Sequence, residues 1–301
     1  MTRLRLSVAL VALVLLGTPW ADAAAQTTAA EVAATRQRAE QGDAGAQFDV
    51  GVMYDAGQGV PQDDVQAMAW YRKAADQGHV DAQHLLGRRY ADGRGVPQDD
   101  VEAVRWYRLA ADQGHALAQV RLGIMCAAGR GVPQDDVEAV RWYRLAADQG
   151  HAGAQVRLGI MYLAGQGVPR DYAQAVRWTR LAVDQGFAAA QHNLGFMYAN
   201  GRGVPQDYAQ AVRWTRLAAD QGDARAQYAL GRSYFTGEGL PQDYVEAHKW
   251  ANLAASRATG DYQKRYADER DALAKMMTPA QLAEAQKLAR EWQAAFDARQ
   301  E

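Results

Sequence analysis

Apolar positions over residues 44–56 recur at helical spacing: Ala46, Val50 and Tyr54 fall at i, i+4 and i+8 on one face. Gly57 and Gly59 stop that helix, because glycine takes a positive φ at little steric cost. Val60, placed before Pro61, is driven to an extended conformation. Asp63 then reads as an N-cap, with Gln66 three residues on completing a capping-box pattern. A second helix runs to about Gln77, its packing face carried by Ala67, Trp70 or Tyr71, and Ala74, and Gly78 supplies a left-handed exit. Gly51 permits close approach of a neighbouring backbone. No segment shows sustained strand alternation, so the expected class is all-α.

The pattern repeats every 36 residues. Asp-Gln-Gly ends at Gly78, Gly114, Gly150, Gly186 and Gly222, and a Gly-x-Gly-Val/Leu-Pro loop begins at Gly57, Gly93, Gly129, Gly165, Gly201 and Gly237. Six helix-turn-helix units follow: 43–78, 79–114, 115–150, 151–186, 187–222 and 223–258. The Asp cap and its Glu or Gln partner recur in each, as in Asp99/Glu102 and Asp243/Glu246. Residues 93–115 and 129–151 are identical, the mark of a late duplication.

In the second unit Ala82, Leu86, Gly87, Tyr90, Gly93, Gly95, Asp99, Ala103, Trp106, Tyr107, Ala110, Ala111 and Gly114 form one motif. With its pitch and six-fold recurrence, it resembles the Sel-one-like repeat, a relative of the tetratricopeptide repeat. That resemblance implies a right-handed α-solenoid of helix pairs that binds other proteins. Cys126 departs from the motif's first Tyr; Thr179, Thr215 and Ala251 depart from the Tyr beside Trp. These four are expected to weaken local packing without changing the fold.

Both ends read as caps, which a stack of repeats needs because each unit buries only its neighbours' faces. Residues 26–41 supply an N-terminal helix, clearest over 31–40. Residues 259–301 supply a helix over 261–277 and a second opened by Thr278, Pro279 and Gln281, with an apolar face of Leu282, Leu288 or Ala289, Trp292 and Phe296. Residues 1–25 read as a cleavable signal peptide: Arg3 and Arg5, an apolar run from Leu6 to Leu16, and small-x-small sites ending at Ala23 and Ala25. The run is too short to span a bilayer, so no stable span is expected after cleavage, and no Cys is placed for lipidation. The expected location is a bacterial periplasm or the exterior.

Composition narrows the chemistry. A formal charge of −2 argues against nucleic acid, which a basic excess usually accompanies. One cysteine makes no internal disulfide or thiolate metal cage. The Gly-x-Gly loops lack the Gly-Lys-Ser/Thr of a phosphate loop and read as turns. His79, His115 and His151 share one offset, and helix layers about 10 Å apart are too distant for one metal, so they read as helix-start residues. Ser7, Ser233 and Ser256 are the only serines and sit in no nucleophile motif; Cys126 reads as a small core residue. The Arg105/Arg108, Arg141/Arg144, Arg177/Arg180 and Arg213/Arg216 row reads as a solvated, locally paired face, and the Trp series at 70, 106, 142, 178, 214 and 250 as packing between units. No catalytic residue, metal or cofactor is expected.

What varies between units is the first helix. Opposite its core face lie positions 48 and 52, with 45 and 55 beside them. By the resemblance, those offsets line the concave surface. They read Phe48 and Val52, His84 and Arg88, Val120 and Ile124, Val156 and Ile160, His192 and Phe196, and Tyr228 and Arg232. If exposed, this apolar strip is a groove for a protein or peptide. Alternatively, these residues pack against the next helix of a tight superhelix. The expected function is a non-catalytic protein-interaction scaffold of the bacterial envelope. The alternatives are an exported host-contact factor or a peptidoglycan- or β-lactam-binding enzyme, the latter a role of cysteine-rich secreted relatives. Self-association through the strip stays open.

Overall fold

A computed structural model describes residues 19–300, all of whose regular elements are helices. Residues 1–18 of the expected signal peptide lie outside the described residues. The N-terminal helix α1 (Pro19–Glu40) begins twelve residues before the expected 31–40 and includes both candidate cleavage sites. No described helix is long and apolar enough to cross a membrane.

The chain divides into two compact units, the second beginning at Ala111. The first holds α1, α2 (Ala44–Ala56), α3 (Asp64–Asp76), α4 (Val80–Asp92) and α5 (Asp100–Asp112) as far as Ala110. The second holds α6 (Ala116–Ala128), α7 (Asp136–Asp148), α8 (Ala152–Ala164), α9 (Tyr172–Val183), α10 (Ala188–Asn200), α11 (Tyr208–Asp220), α12 (Ala224–Thr236) and α13 (Tyr244–Arg257). The two closing helices, α14 (Asp261–Ala274) and α15 (Pro279–Asp297), complete it.

The caps form where the residues place them. The Asp63 carboxylate accepts from the backbone of Val65 and Gln66 at 2.9 and 3.0 Å, and Asp135, Asp171 and Asp207 cap α7, α9 and α11 likewise. The reciprocal capping box closes at Thr278 and Gln281. His79, His115 and His151 are N-caps: each Nδ1 accepts from the backbone N–H three residues on, at 3.0–3.3 Å. The second loop glycine is required by packing as well as by φ. A Cβ on Gly95 would lie 2.5 Å from the carbonyl oxygen of Asp64, at the start of the preceding unit's second helix.

Two side-chain series tie helices together. In the first, a buried Gln on five of the six first helices donates to a carbonyl eight residues back: Gln47 to Ala39 and Gln83 to Ala75 in the first unit, and Gln119 to Ala111, Gln155 to Ala147 and Gln227 to Ala219 in the second. The Gln of Asp-Gln-Gly then donates to that buried amide at 2.8–2.9 Å, from Gln77 to Gln47, Gln149 to Gln119, Gln185 to Gln155 and Gln221 to Gln191. In the second series, Arg72, Arg144, Arg180 and Arg216 donate to the hydroxyls of Tyr90, Tyr162, Tyr198 and Tyr234 on the next first helix. The arginine row is therefore more than a solvated face. Arg105 and Arg141 do pair locally with Glu102 and Glu138, while Arg177 and Arg213 lie over Trp178 and Trp214.

The first unit's core gathers Ala67, Tyr71, Ala74, Ala82, Leu86 and Trp106. Beside it Arg89, 2% exposed, meets both Asp55 and Asp64 from the preceding repeat, and Arg94 completes the quartet. The second unit's core runs through Val176, Leu194 and Met197 to Val212, Leu230, Trp250 and Leu253. Cys126 is buried, as a core residue should be. Helix α15 closes this end through Ala285 and Ala289, with Trp292 edge-on to Trp250 at 5.7 Å. Here Arg257 occupies the position of the ladder's outer Gln and lies 4.8 Å from Trp292 and 4.6 Å from Phe296. The Oε1 of Gln227 consequently has no partner.

Candidate functional site

The strip predicted on the first helices is not uniformly open. Val120 and Val156 are buried at 9% and 6% exposure, so these two pack in the core and do not line a surface groove. Phe48, Val52, His84, Ile124, His192 and Tyr228 are half-buried; Arg88, Ile160, Phe196 and Arg232 are exposed. The first member of each pair leans inward against the second helix, and the member one turn on lies outward.

What the inner member meets depends on the residue beside Trp. In the first three repeats this is Tyr71, Tyr107 or Tyr143, and its ring passes directly under the glycine of the first helix. A Cβ on Gly51, Gly87 or Gly123 would come within 2.5–2.6 Å of the ring. Gly51 thus makes room for an aromatic side chain, not for the backbone its sequence context suggested. Phe48 and His84 cover the Tyr71 and Tyr107 rings at 5.8 and 5.9 Å between centroids.

Where that Tyr becomes Thr or Ala, the glycine faces smaller groups. A Cβ on Gly159 or Gly195 would lie 2.8 or 2.5 Å from Oγ1 of Thr179 or Thr215, and one on Gly231 would lie 3.0 Å from the carbonyl oxygen of Ala247. The glycine is thus held by close contact at these positions too. On the strip side of the last two repeats, two cavities lie over these small residues. One, about 390 Å³, is floored by Gly195, Ala211 and Thr215 and walled by His192, Phe196 and Tyr208. The other, about 440 Å³, is floored by Gly231, Ala247 and Ala251 and walled by Phe235, Leu273 and Met276. Tyr228 and Arg232 border both. Four predicted residues, His192, Phe196, Tyr228 and Arg232, thus come together, whereas those of the earlier repeats do not join these cavities.

The electrostatics of the site follow from burial. Desolvation holds the His192 imidazole down to about 4, with nearby Asp223 opposing and Arg225 adding to the shift, so the ring is neutral at pH 7. Its Nδ1 is buried without a partner. The Tyr228 hydroxyl donates to Glu269 at 2.5 Å and accepts from Arg265 at 3.3 Å, while its ring stacks on Tyr266 at 4.2 Å. Burial, reinforced by Glu269, pushes this phenol up, so it stays protonated. Among the described residues no group of three or more His, Cys, Asp or Glu could hold a metal ion. The arrangement offers apolar recesses between polar rims, suited to recognition.

Comparison with known proteins bears on the family and the fold. The Sel1 repeat family model matches six times, over 44–79, 80–115, 116–151, 152–187, 188–223 and 224–258, each match starting one residue after the corresponding 36-residue unit. The chain belongs to the Sel1 repeat family. A solved Sel1 repeat protein from Oxalobacter formigenes is 32% identical, with a TM-score of 0.68 over 79% of this chain and 98% of its own. The chain is also similar, at 30% identity over 91% of its length and 74% of the other, to a protective antigen, c5321, of uropathogenic Escherichia coli displaying an SLR fold, with a TM-score of 0.40. No curated protein matches. Sel1 repeats, like the tetratricopeptide repeats they resemble, serve protein–protein interaction, and the six Sel1 repeats here form the helix-pair array of an α-solenoid.

Residue-by-residue reading missed Phe235, Leu273 and Met276 as wall residues. Phe235 sits at the flanking offset of position 55, and its aromatic character against Ala91, Ala127 and Ala199 was a usable signal. Leu273 and Met276 come from the α14 end and lie outside the repeat register, so no periodicity points to them.

Proposed function

We propose that this Sel1 repeat protein is a non-catalytic protein-interaction scaffold of the bacterial envelope, holding a peptide or protein segment on the first-helix face of its last two repeats. The supporting observation is the pair of adjoining cavities at His192, Phe196, Tyr228 and Arg232, in a chain whose early repeats fill the same space with Tyr. Phe196 and Phe235 are 40% and 38% exposed at the rims, a density of accessible aromatic surface that suits a recognition face. The envelope location rests on the leader over 1–25, with cleavage at Ala23 or Ala25. Recognition, with no bond made or broken, is the whole of the mechanism.

A photo-crosslinker placed at Phe196, and separately at the 59%-exposed Val137 on a second helix, tests the face in the producing cells. Partner adducts from position 196 and none from 137 are expected. Equal adducts from both would overturn the assignment of the face, and recovery of the full-length chain in the cytoplasmic fraction would overturn the location. Turnover of cell-wall fragments or a β-lactam by the purified protein would overturn the non-catalytic reading.

A further inference from the structure

The two cavities have a chemical asymmetry that narrows the partner. Their floors are apolar or small: Gly195, Ala211, Gly231, Ala247 and Ala251. The cations at their borders are not equivalent. Arg265 is committed to Glu269 and the Tyr228 hydroxyl. Arg232, on the wall the cavities share, is exposed and makes no ion pair or side-chain hydrogen bond among the described residues. A guanidinium beside apolar recesses that pairs with neither Glu238 nor Glu269 is matched by a carboxylate from outside, which it can hold bidentately. Glu238, on the lip of the 390 Å³ cavity, disfavours a second acid at that edge.

Spacing adds a second constraint. The cavities occupy equivalent places in consecutive repeats, and helix layers stack about 10 Å apart. A peptide in the polyproline II conformation returns the same face every three residues, about 9 Å along its axis. Two side chains three residues apart therefore reach both cavities, and a residue between them passes over Arg232.

We infer that Tyr228 and Arg232 mark a two-cavity site for an acidic peptide segment, with an apolar side chain in each cavity and a carboxylate between them on Arg232. This rests on the interaction reading above and specifies its ligand. Thr215 and Ala251, which stand where the first three repeats have Tyr, floor the site, and the unpaired Arg232 gives it a charge preference.

The test uses a synthetic array of amidated hexapeptides with Leu or Phe at the second and fifth positions and Glu, Ser or Lys between them, probed with the full chain. Glu peptides are expected to bind about tenfold more tightly than Lys peptides at low salt, a preference lost or reversed by Arg232→Glu. Ala251→Tyr, which restores the residue of the first three repeats, is expected to lower binding of every peptide at least tenfold while circular dichroism stays helical. Glu238→Gln is expected to leave Glu peptides bound at least as tightly. Equal binding of Glu, Ser and Lys peptides, no binding of any, or full binding by Ala251→Tyr would overturn the inference. Charge-blind binding insensitive to both variants would do so while leaving a peptide-binding scaffold standing. If Ala251→Tyr fails to fold, Arg232→Glu, on the surface, decides alone.

Discussion

Gln149 donates its Nε2 proton to Oε1 of Gln119 at 2.8 Å, and Gln119 donates in turn to the carbonyl of Ala111 at 3.1 Å. The two amides lie thirty residues apart in one repeat, and the carbonyl lies at the end of the helix before it. The Gln149 bond satisfies a buried amide oxygen, and the Gln119 bond gives the Ala111 carbonyl a second donor beside the Gly114 N–H. The same geometry recurs in Gln77, Gln47 and Ala39 and in Gln185, Gln155 and Ala147, so two short motifs that look like turn chemistry are one cross-helix joint.

Breaking an inner member of that joint should be costly. Gln155→Met removes two side-chain hydrogen bonds, to the Ala147 carbonyl and from the Gln185 amide, each of which keeps another partner, and an expected loss of about 1–3 kcal/mol follows. Gln227→Met should cost distinctly less, because Gln227 Oε1 already has no partner and only one bond is lost. Urea unfolding of the two variants reads the difference; equal losses would show that the outer amide contributes nothing.

The Arg89 quartet is expected to behave asymmetrically. Met occupies the equivalent position in Met53, Met125, Met161 and Met197, so Arg89→Met has a ready packing solution. Replacing a buried ion-pair network by a hydrophobe is often neutral or stabilising by roughly 1–4 kcal/mol, while removing one partner costs about 3–5 kcal/mol. Asp55→Ala should therefore destabilise where Arg89→Met does not. Arg94 and Arg89 hold the Asp64 carboxyl below its usual range by hydrogen bonding, Arg94 foremost. Its contribution is present above about pH 4 and disappears as the pH falls through the lowered native value, so Asp64→Asn should flatten the acid limb of a stability profile.

Glycine-to-alanine exchange inside a helix ordinarily stabilises by about 1 kcal/mol. At Gly123 the sign should reverse, because the new Cβ would lie 2.6 Å from the rigid Tyr143 ring. In the double variant Gly123→Ala/Tyr143→Ala the ring that the new Cβ would meet is gone. A double-mutant cycle by thermal melting should give a favourable coupling of about 1–2 kcal/mol; additivity would mean that the ring and the glycine are independent.

His192 makes the protein acid-sensitive in a defined window. Its imidazole titrates near 6.5 when unfolded and at about 4 in the native fold, chiefly through burial. Between those values the unfolded chain binds a proton that the native chain does not, so stability is full above about pH 6.5 and declines as the pH falls to about 4. His192→Val installs the residue that Val120 and Val156 supply at the same offset, and it should shallow this decline by roughly 1–3 kcal/mol. His248, also held down by burial, supplies part of the slope that remains. Unchanged pH dependence in the variant would show that His192 is neutralised by other means.

Much of the architecture is local and so was readable from residues alone. Each helix start needs a side-chain acceptor and each helix stop needs a positive φ, and Asp63, Gly57 and their equivalents advertise these needs at fixed spacing. The site was half legible. An angle on a helical wheel placed His192, Phe196, Tyr228 and Arg232 on one face, but it gave Val120 and Val156 the same standing, and they are core. Periodicity specifies direction from an axis and says nothing of how close the next helix comes. How the face is filled depends on the facing helix: the Tyr143 ring occupies the space under Gly123, whereas Thr215 and Ala251 floor cavities. The repeats, their caps and the helical faces follow from residues alone, because they obey hydrogen-bonding and steric rules within a few residues. Where the face is filled and where it opens depends on the fold, because a cavity is bounded by groups far apart in the chain.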